Sequence, residues 1–380
     1  MTFLLLLSAA RAGDVFDSVE AEVTLGMGGT WARVHSTDAG YWFFQVAGGD
    51  GWMEDIGADL TGYSDRDRVQ LSHIAKIQDA QIERCADGGW LLIGSYTLDA
   101  FDDSAQAWRF DSELNPLWNV TVAERDSTHK HNDMVPVCTA AAEGGIFAGA
   151  VGGNGAAEFV PLAGGELGEA IDIPGIAAEG ASTAEYGEEG ASLVVDGGGP
   201  GAHGVTVHEF DLDWNEVDSV DVTLSTDSVV WPQRIQKLGD GWLLAYLTTT
   251  SNTPFGDVWL AALDADFQVV DQIEVNSAGG QDNRPWFARQ GDDVLVAYDR
   301  DVQPRVRLVH LADGASGGDD GIPDTAAPDD SGGGGGDGED TAAGGAGNEK
   351  ECACASTSAV PPLGAIFLAA TALARRRRVR

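Results

Sequence analysis

Six segments of the chain share one pattern, in which a glycine or aspartate opens a short, mostly apolar run. Gly-Trp-Leu-Leu opens the two clearest copies. The copies start, in chain order, at residues 40, 89, 145, 190, 241 and 292. Their spacings are 49, 56, 45, 51 and 51 residues. A period near 50 residues is typical of β-propeller blades, so the pattern predicts one blade per copy.

Within a repeat, the apolar segment is followed by a polar loop, an alternating strand, an acidic turn and a further strand. The turns contain aspartates at equivalent places: Asp111, Asp211, Asp213, Asp264 and Asp266. Aspartate caps tight turns through its own carboxylate. A Ca²⁺ loop needs more oxygen ligands at fixed spacing than these segments supply. We therefore interpret the aspartates as turn residues.

The last repeat is one strand short. It ends at residues 305–311 and runs directly into a glycine-rich segment, whereas residues 17–25, ahead of the first repeat, resemble the repeat ending at 218–224. A propeller protects its sheet edges by joining its last blade to its first. The sequence therefore predicts an all-β, six-bladed β-propeller over residues 13–312, closed by the N-terminal strand, in preference to an open β-sandwich.

The ends of the chain indicate export. Residues 1–12 form a short apolar run with a small-x-small ending, which predicts a signal peptide. Residues 313–350 are rich in Gly and Asp and predict a disordered linker. Residues 351–380 combine an apolar stretch with a terminal arginine cluster, which predicts a hydrophobic helix that anchors the chain in the envelope membrane with the body facing outward.

The C-terminal segment resembles the sorting tails of myxobacterial surface proteins. Cys352-Ala-Cys354, Pro361-Pro362-Leu363-Gly364 and the arginines at 375–378 carry the resemblance. It implies a sorting protease that cuts beside a cysteine, lipid modification at Cys352 or Cys354, and display on the outer cell surface. The alternative is an ordinary single-pass anchor with two incidental thiols.

Charge excludes one class of partner. The formal net charge is −39, from 61 acidic and 22 basic residues, and five of the basic residues lie among the last six positions. Nucleic-acid binding requires clustered Lys and Arg to release counterions. We therefore expect no nucleic-acid partner and interpret the acidity as a solubility feature.

Two cysteines of the body, Cys85 and Cys138, stand at nearly equivalent places in adjacent repeats. An exported protein meets an oxidising compartment, where thiols tend to pair. The sequence predicts a disulfide between them, the alternative being two buried free thiols.

Polar residues just before the apolar segments fall on the innermost strand of each predicted blade, which lines the central channel. The candidates are Asp79, His131, Asn132, Asp133, Trp231, Asp282 and Arg284. Trp231 offers a stacking surface, and the acids and amides offer hydrogen bonds. This combination favours the binding of a polar ligand, such as a carbohydrate, at one mouth of the channel.

Other interpretations remain open. Two of Asp79, Asp133 and Asp282 could act as the acid and base of a glycoside hydrolase or lyase. The same side chains could be purely structural, or the propeller could serve as an interaction protein of the envelope. His129, His131 and Asp133 could face one metal ion, but a His-x-His spacing is weak evidence, and we predict no metal. No phosphate loop or nucleophile motif is present, and we predict no cofactor.

Overall fold

The computed structural model describes residues 15–312 with gaps, and Ala315. The segments left out within that span are 26–28, 38–39, 49, 58–59, 61–67, 72–76, 86, 98–102, 125–133, 139–143, 149–155, 178–182, 187–191, 198–202, 212, 214, 227, 251–254, 277–281 and 302. The chain divides into two units, Met1–Ala327 and Pro328–Arg380, and every described residue belongs to the first. The predicted signal peptide, the C-terminal segment and nearly all of the predicted linker lie outside the described residues.

The described residues form β-strands and no helix, and none of them therefore offers a helix long and apolar enough to span a membrane. The strands are β1 (Phe16–Val19), β2 (Val23–Thr24), β3 (Thr30–Thr37), β4 (Gly40–Ala47), β5 (Asp50–Asp55), β6 (Arg68–Leu71), β7 (Ile77–Arg84), β8 (Trp90–Thr97), β9 (Asp103–Phe110), β10 (Pro116–Glu124), β11 (Met134–Val137), β12 (Gly144–Ala148), β13 (Ala156–Ala163), β14 (Glu166–Leu167), β15 (Ile171–Ala177), β16 (Thr183–Tyr186), β17 (Ser192–Gly197), β18 (Gly204–Phe210), β19 (Glu216–Thr223), β20 (Val229–Leu238), β21 (Gly241–Thr249), β22 (Asp257–Leu263), β23 (Val269–Asn276), β24 (Asp282–Gln290), β25 (Asp293–Arg300) and β26 (Gln303–Leu311). The predicted all-β class is confirmed.

Within the described part of the chain, these strands pair into six antiparallel sheets. We number them sheet 1 (β3–β6), sheet 2 (β7–β10), sheet 3 (β11–β15), sheet 4 (β16–β19), sheet 5 (β20–β23) and sheet 6 (β24–β26 with β1 and β2). Both N-terminal strands pair with β26, where Ser18 lies opposite His310 and Val23 opposite Val306. The N-terminal segment therefore adds strands to the sheet that contains the last repeat.

The apolar segments of the repeat form the second strand of each sheet, namely β4, β8, β12, β17, β21 and β25. Their opening glycine has a packing reason in two clear copies. A Cβ atom at Gly241 would overlap the carbonyl oxygen of Leu263, and one at Gly89 would lie 2.5 Å from the carbonyl oxygen of Phe110. Glycine thus lets the start of the second strand approach the end of the third.

The acidic turns close the outer hairpins. The Oδ1 atom of Asp111 accepts hydrogen bonds from the backbone amides of Glu113 at 2.9 Å and Asn115 at 2.8 Å. The corresponding turns at Asp211 and Asp264 repeat these two bonds. Leu114 and Phe267 take the left-handed conformation in their turns, with φ of 64° and 58°, and their side chains are buried. The aspartate therefore caps the turn, while a buried apolar residue makes the reversal.

The core is divided among clusters that each join two sheets. Sheets 1 and 2 share one cluster, and further clusters join sheets 6 and 1, sheets 4 and 5, sheets 5 and 6, and sheets 2 and 3. Tryptophans and phenylalanines such as Trp90, Trp108 and Phe43 are fully buried in them. Apolar side chains therefore pack these five pairs of sheets against each other.

Polar side chains of sheets 5 and 6 hold the N-terminal segment in place through hydrogen bonds. The carboxylate of Asp271 accepts hydrogen bonds from the amides of Val15 at 3.2 Å and Phe16 at 3.1 Å. The ring of His310 lies between two carboxylates, with Nε2 3.0 Å from Glu20 Oε1 and Nδ1 2.7 Å from Asp293 Oδ1. The hydrogen bond with Glu20, together with that of Asp293, raises the pKa of His310 above its ordinary value.

A disulfide joins Cys85, just after β7 of sheet 2, to Cys138, just after β11 of sheet 3. The two Cα atoms are 4.9 Å apart and the cysteines are separated by 53 positions in the sequence. Both side chains belong to the apolar cluster shared by sheets 2 and 3. The bond therefore links two sheets that already pack together.

Replacing both cysteines, as Cys85→Ala/Cys138→Ala, is expected to lower the free energy of unfolding by about 2–4 kcal/mol, because the cross-link restricts the unfolded chain. Thermal or denaturant unfolding of the purified chain measures the change. The matched control is Cys352→Ala/Cys354→Ala, which should unfold like the wild type. Equal stability of all three proteins would show that Cys85 and Cys138 do not form this bond.

Candidate functional site

In four sheets, the first strand pairs irregularly with the second. The register shifts lie between Thr30 and Arg33 in β3, between Ile77 and Ala80 in β7, between Pro232 and Arg234 in β20, and between Asn283 and Trp286 in β24. Bulges re-aim side chains and are frequent beside functional sites. The side chains near these bulges are therefore candidates for a functional site.

Trp31 of β3 and Arg284 of β24 form a stacked pair beside the carboxylate of Asp299. The guanidinium carbon of Arg284 lies 3.8 Å from the centre of the Trp31 ring. Asp299 Oδ2 accepts a hydrogen bond of 2.7 Å from the amide of Trp31, and Oδ1 accepts one of 3.2 Å from the amide of Ala32. Arg284 Nη1 lies 3.7 Å from Asp299 Oδ2. One carboxylate therefore positions both members of the stack.

Both stacked residues have a strained backbone. The φ angle is 64° at Trp31 and 52° at Arg284. Neither residue is glycine, and a bulky residue with positive φ is a genuine outlier. The Arg284 side chain is 29% exposed while that of Asp299 is 5% exposed. The Arg284 side chain is thus the more solvent-accessible member of this ion pair.

Burial raises the pKa of Asp299, although its hydrogen bond from Trp31 and the charges of Arg284 and Arg33 oppose the change. Arg33 lies next to this group. Its Nη1 atom donates hydrogen bonds to the carbonyl oxygens of Ala32 at 2.9 Å and Arg284 at 3.3 Å. Its guanidinium carbon lies 4.5 Å from the centre of the Trp286 ring and 5.6 Å from that of Trp31. Arg33 is therefore enclosed between two indoles directly beside Arg284.

A second ion pair connects sheets 2 and 5. Arg234 of β20 donates to Glu83 of β7 through both terminal nitrogens, at 2.8 Å and 3.3 Å. The guanidinium carbon of Arg234 also lies 4.3 Å from the centre of the Trp286 ring. Bidentate pairs of this kind are among the strongest hydrogen-bonded contacts in proteins. Arg234, paired with Glu83, thus reaches the same indole that covers Arg33.

We call the residues joined by these contacts the inner-strand cluster: Trp31, Arg33, Glu83, Arg234, Arg284, Trp286 and Asp299. They come from β3, β7, β20, β24 and β25. His35 of β3 borders the cluster, with Nδ1 3.9 Å from Glu83 Oε1 and its ring edge-on to Trp90 at 5.2 Å. The cluster contains three guanidinium groups and two carboxylates, so it is cationic within a strongly acidic chain.

The structure places three of the sequence-predicted site residues. Arg284 belongs to the inner-strand cluster. Trp231 is partly buried against the apolar cluster shared by sheets 5 and 6. Asp282 is fully buried in a separate network, where Arg300 donates to its two oxygens at 2.6 Å and 3.1 Å and Asn276 also donates to it. Arg300 in turn lies 3.0 Å from Glu22.

The structure does not describe the side chains of the remaining predicted residues. Asp79 lies in β7, but its side chain is outside what the structure describes, and His131, Asn132 and Asp133 lie outside the described residues altogether. Among the described residues, no group of three or more His, Cys, Asp or Glu side chains is arranged to hold a metal ion.

Of the inner-strand cluster, the sequence prediction named only Arg284 and missed Trp31, Arg33, Glu83, Arg234, Trp286 and Asp299. The first two carry a usable signal, since Trp31, Arg33 and His35 alternate along β3, just before the first apolar repeat segment. Asp299 carries none, because it follows the apolar segment of the last repeat and reaches Trp31 across 268 positions of sequence.

No protein-family profile matches this sequence, and no curated protein sequence matches it either. Several solved structures match most of this chain's length at low sequence identity. A member of the DUF4221 family from Bacteroides vulgatus is 8% identical, with 79% of this chain and 99% of that chain covered and a TM-score of 0.44. A subtype N10 neuraminidase-like protein of A/little yellow-shouldered bat/Guatemala is 15% identical, with 78% and 99% covered and a TM-score of 0.46. A glucose dehydrogenase is 10% identical, with 76% and 99% covered and a TM-score of 0.44. Identities this low assign no activity to this chain.

Stability should depend on pH through His35. Burial lowers the pKa of this imidazole from 6.5 to about 4. Between those values the unfolded chain binds a proton that the folded chain does not, so stability falls as the pH drops from 6.5 towards 4. The slope from this one group reaches about 1.4 kcal/mol per pH unit.

The variant His35→Gln lacks this titration and should lose less stability than the wild type over the same pH range. Denaturant unfolding at pH 7.5, 6.5, 5.5 and 4.5 measures both slopes. Parallel slopes for the two proteins would contradict the assignment.

Proposed function

We propose that the six sheets are the blades of a closed six-bladed β-propeller. The first strands contact one another in ring order, β3 with β7, β7 with β11, β11 with β16, β16 with β20, β20 with β24 and β24 with β3. The pairing of β1 and β2 with β26 supplies the joint between the two ends of the described chain. This order supports a central channel lined by the six first strands.

We infer that the protein binds a polar ligand, of the carbohydrate type, at the mouth of that channel marked by Trp31 and Arg284. The stacked and strained pair is the observation that carries the proposal. The indole of Trp31 is 7% exposed and supports the guanidinium of Arg284, so this mouth offers a polar ring a cation and hydrogen-bond donors held in place by an aromatic side chain. Strained non-glycine residues cluster at ligand sites, because the surrounding structure must hold them in place.

The predicted residues of the neighbouring repeats belong to the same proposal. Asp79, His131, Asn132 and Asp133 precede or open the first strands β7 and β11, and Trp231 lies near the start of β20. In a closed ring, those strand ends lie at the same mouth as the start of β24. Asp282 is the exception, since Arg300 and Asn276 already occupy its carboxylate.

The alternative is glycoside hydrolysis. It needs two carboxyl groups about 5 to 9.5 Å apart across the ligand, one of them with a raised pKa. Asp299 has the raised pKa. Both carboxylates of the inner-strand cluster already serve as partners, however, Asp299 to two backbone amides and Glu83 to Arg234. This arrangement favours binding over cleavage.

We also propose that the chain is exported and displayed at the cell surface. The apolar N-terminal run, the acidic linker and the Cys-containing tail with its arginine cluster support this location. A ligand-binding body held outside the cell by a flexible spacer is consistent with all three segments. The envelope membrane and a sorting protease are then its partners.

Ligand binding is tested with a glycan array and a polysaccharide-hydrolysis screen on the full chain. We expect Trp31→Ala and Arg284→Ala each to weaken binding about tenfold, since stacking and cation–π contacts are worth about 1–2 kcal/mol. The matched control is Trp242→Ala, which removes a tryptophan that also carries a cation, with Lys237 Nζ 4.1 Å from the ring centre. Binding that is unchanged in Trp31→Ala would refute the site, and turnover lost in Asp133→Ala would favour the hydrolase.

The location is tested by mass spectrometry of surface protein from the producing cells. If Cys352 and Cys354 direct sorting and cleavage, surface material should yield peptides of residues 15–312 but none that contains residues 375–380. The variant Cys352→Ala/Cys354→Ala should retain those terminal peptides. Recovery of the intact terminus from wild-type surface protein would refute the sorting proposal.

A further inference from the structure

Arg33 is a buried cation with no carboxylate partner in the part of the chain that the structure describes. Arg33 is only 2% exposed to solvent. Among the described residues no carboxylate oxygen lies within 4.0 Å of its nitrogens, and its hydrogen bonds go only to two backbone carbonyl oxygens. Buried charges are ordinarily paired, because an unpaired ion loses its hydration and gains nothing in return. Arg33 departs from that rule.

The nearby carboxylates are already engaged. Asp299 accepts from two amides and lies beside Arg284, and Glu83 accepts both terminal nitrogens of Arg234. His35 adds no positive charge at neutral pH, since burial lowers the pKa of its ring to about 4. Three guanidinium groups thus face two carboxylates, and one positive charge of the inner-strand cluster is left over.

The same place has an excess of hydrogen-bond donors. The Nε atoms of Arg33 and Arg234 and the indole nitrogen of Trp286 are buried and have no hydrogen-bond partner among the described residues. All three are donors only. Trp286 contacts both guanidinium groups, so these donors lie around one indole. A partner that fits them must offer acceptor oxygens and a negative charge.

We propose that Arg33 is the receptor for a carboxylate group, and that the polar ligand of this mouth is an acidic sugar whose carboxylate reaches Arg33 past Arg284. This inference rests on the proposed binding function. The carbonyl oxygen of Arg284, which accepts from Arg33 at 3.3 Å, shows that the partly exposed arginine and the buried one are adjacent. A neutral ligand or a water molecule would satisfy the donors but would leave the charge uncompensated.

The electrostatics of Arg33 agree with this assignment. The pKa of Arg33 is lowered from 12.5 to about 9, chiefly by burial; the charges of Asp299 and Glu83 oppose the change, and those of Arg284 and Arg234 add to it. Arg33 is therefore still charged at neutral pH, in surroundings that disfavour the charge until an anion arrives.

Thermal unfolding of the full chain tests the receptor without knowledge of the natural ligand. Sodium acetate, compared with sodium chloride at the same ionic strength, should raise the Tm of the wild type by roughly 5 °C once acetate exceeds its Kd by about 100-fold. Arg33→Met and Arg33→Gln should abolish this difference. In chloride, Arg33→Met should be at least as stable as the wild type, because it removes an unpaired buried charge.

Arg109→Met is the matched control. Arg109 is also 2% exposed, but its Nη2 atom lies 2.5 Å from the carboxylate of Asp87. Its replacement should lower the Tm in chloride and leave the acetate response intact. An acetate response that survives in both Arg33 variants, or one that is absent from the wild type, would overturn the proposal.

Glucuronate and glucose distinguish a site that binds any small carboxylate from a site that binds an acidic sugar. Glucuronate should stabilise the wild type more than acetate does, glucose should have little effect, and the advantage of glucuronate should disappear in Arg33→Gln. Acetate and glucuronate of equal effect would restrict the site to small free carboxylates and overturn the acidic-sugar assignment. Array binding that depends on Trp31 without preference for acidic glycans would leave the proposed function standing and overturn this inference alone.

Discussion

Sheets 1, 2, 5 and 6 each bury two apolar faces, one in each of two clusters. Successive residues of β21 show the constraint directly, since Leu243, Ala245 and Leu247 pack in the cluster shared with sheet 6, whereas Leu244 and Tyr246 pack in the cluster shared with sheet 4. Strands buried on both faces read as continuous apolar runs. The repeated apolar segment therefore reflects sheets that are packed against a neighbour on both sides. Without those neighbours, a single sheet would expose its two apolar faces to water.

Stacking of this kind brings the first strands together, and their polar side chains are then buried in one place. Desolvation makes isolated charges costly, so each needs a partner. Glu83 and Arg234 meet this need with a bidentate pair, and Asp299 meets it with two backbone amides. These contacts join sheets that are far apart in sequence. The cluster therefore links the first strands and concentrates positive charge between them. Among the described residues, Arg33 is the one arginine of the cluster with no carboxylate oxygen within 4.0 Å, and it is adjacent to the partly exposed Arg284.

The predictable features were those with a local cause. The repeat follows from buried second strands, the aspartate turns follow from hydrogen bonds that span four residues, and Cys85 and Cys138 follow from equivalent positions in neighbouring repeats. The site was only partly predictable, because it depends on bulges and on long-range partners. Asp282 and Arg284 look equivalent in the sequence, yet the irregular pairing of β24 begins between them and their side chains meet different partners, Arg300 for one and Trp31 for the other.

The strained backbone at Trp31 and Arg284 bears most directly on function. Positive φ at such residues costs about 1–3 kcal/mol each. At Leu114 and Phe267 the same conformation has a structural purpose, since those residues reverse the chain in turns capped by aspartate. Trp31 and Arg284 lie within strands, where no reversal occurs, and the amide bonds to Asp299 hold Trp31 in place. The two distortions coincide with the bulges of β3 and β24 and leave a guanidinium stacked on an indole, which is the arrangement on which the proposed ligand site depends.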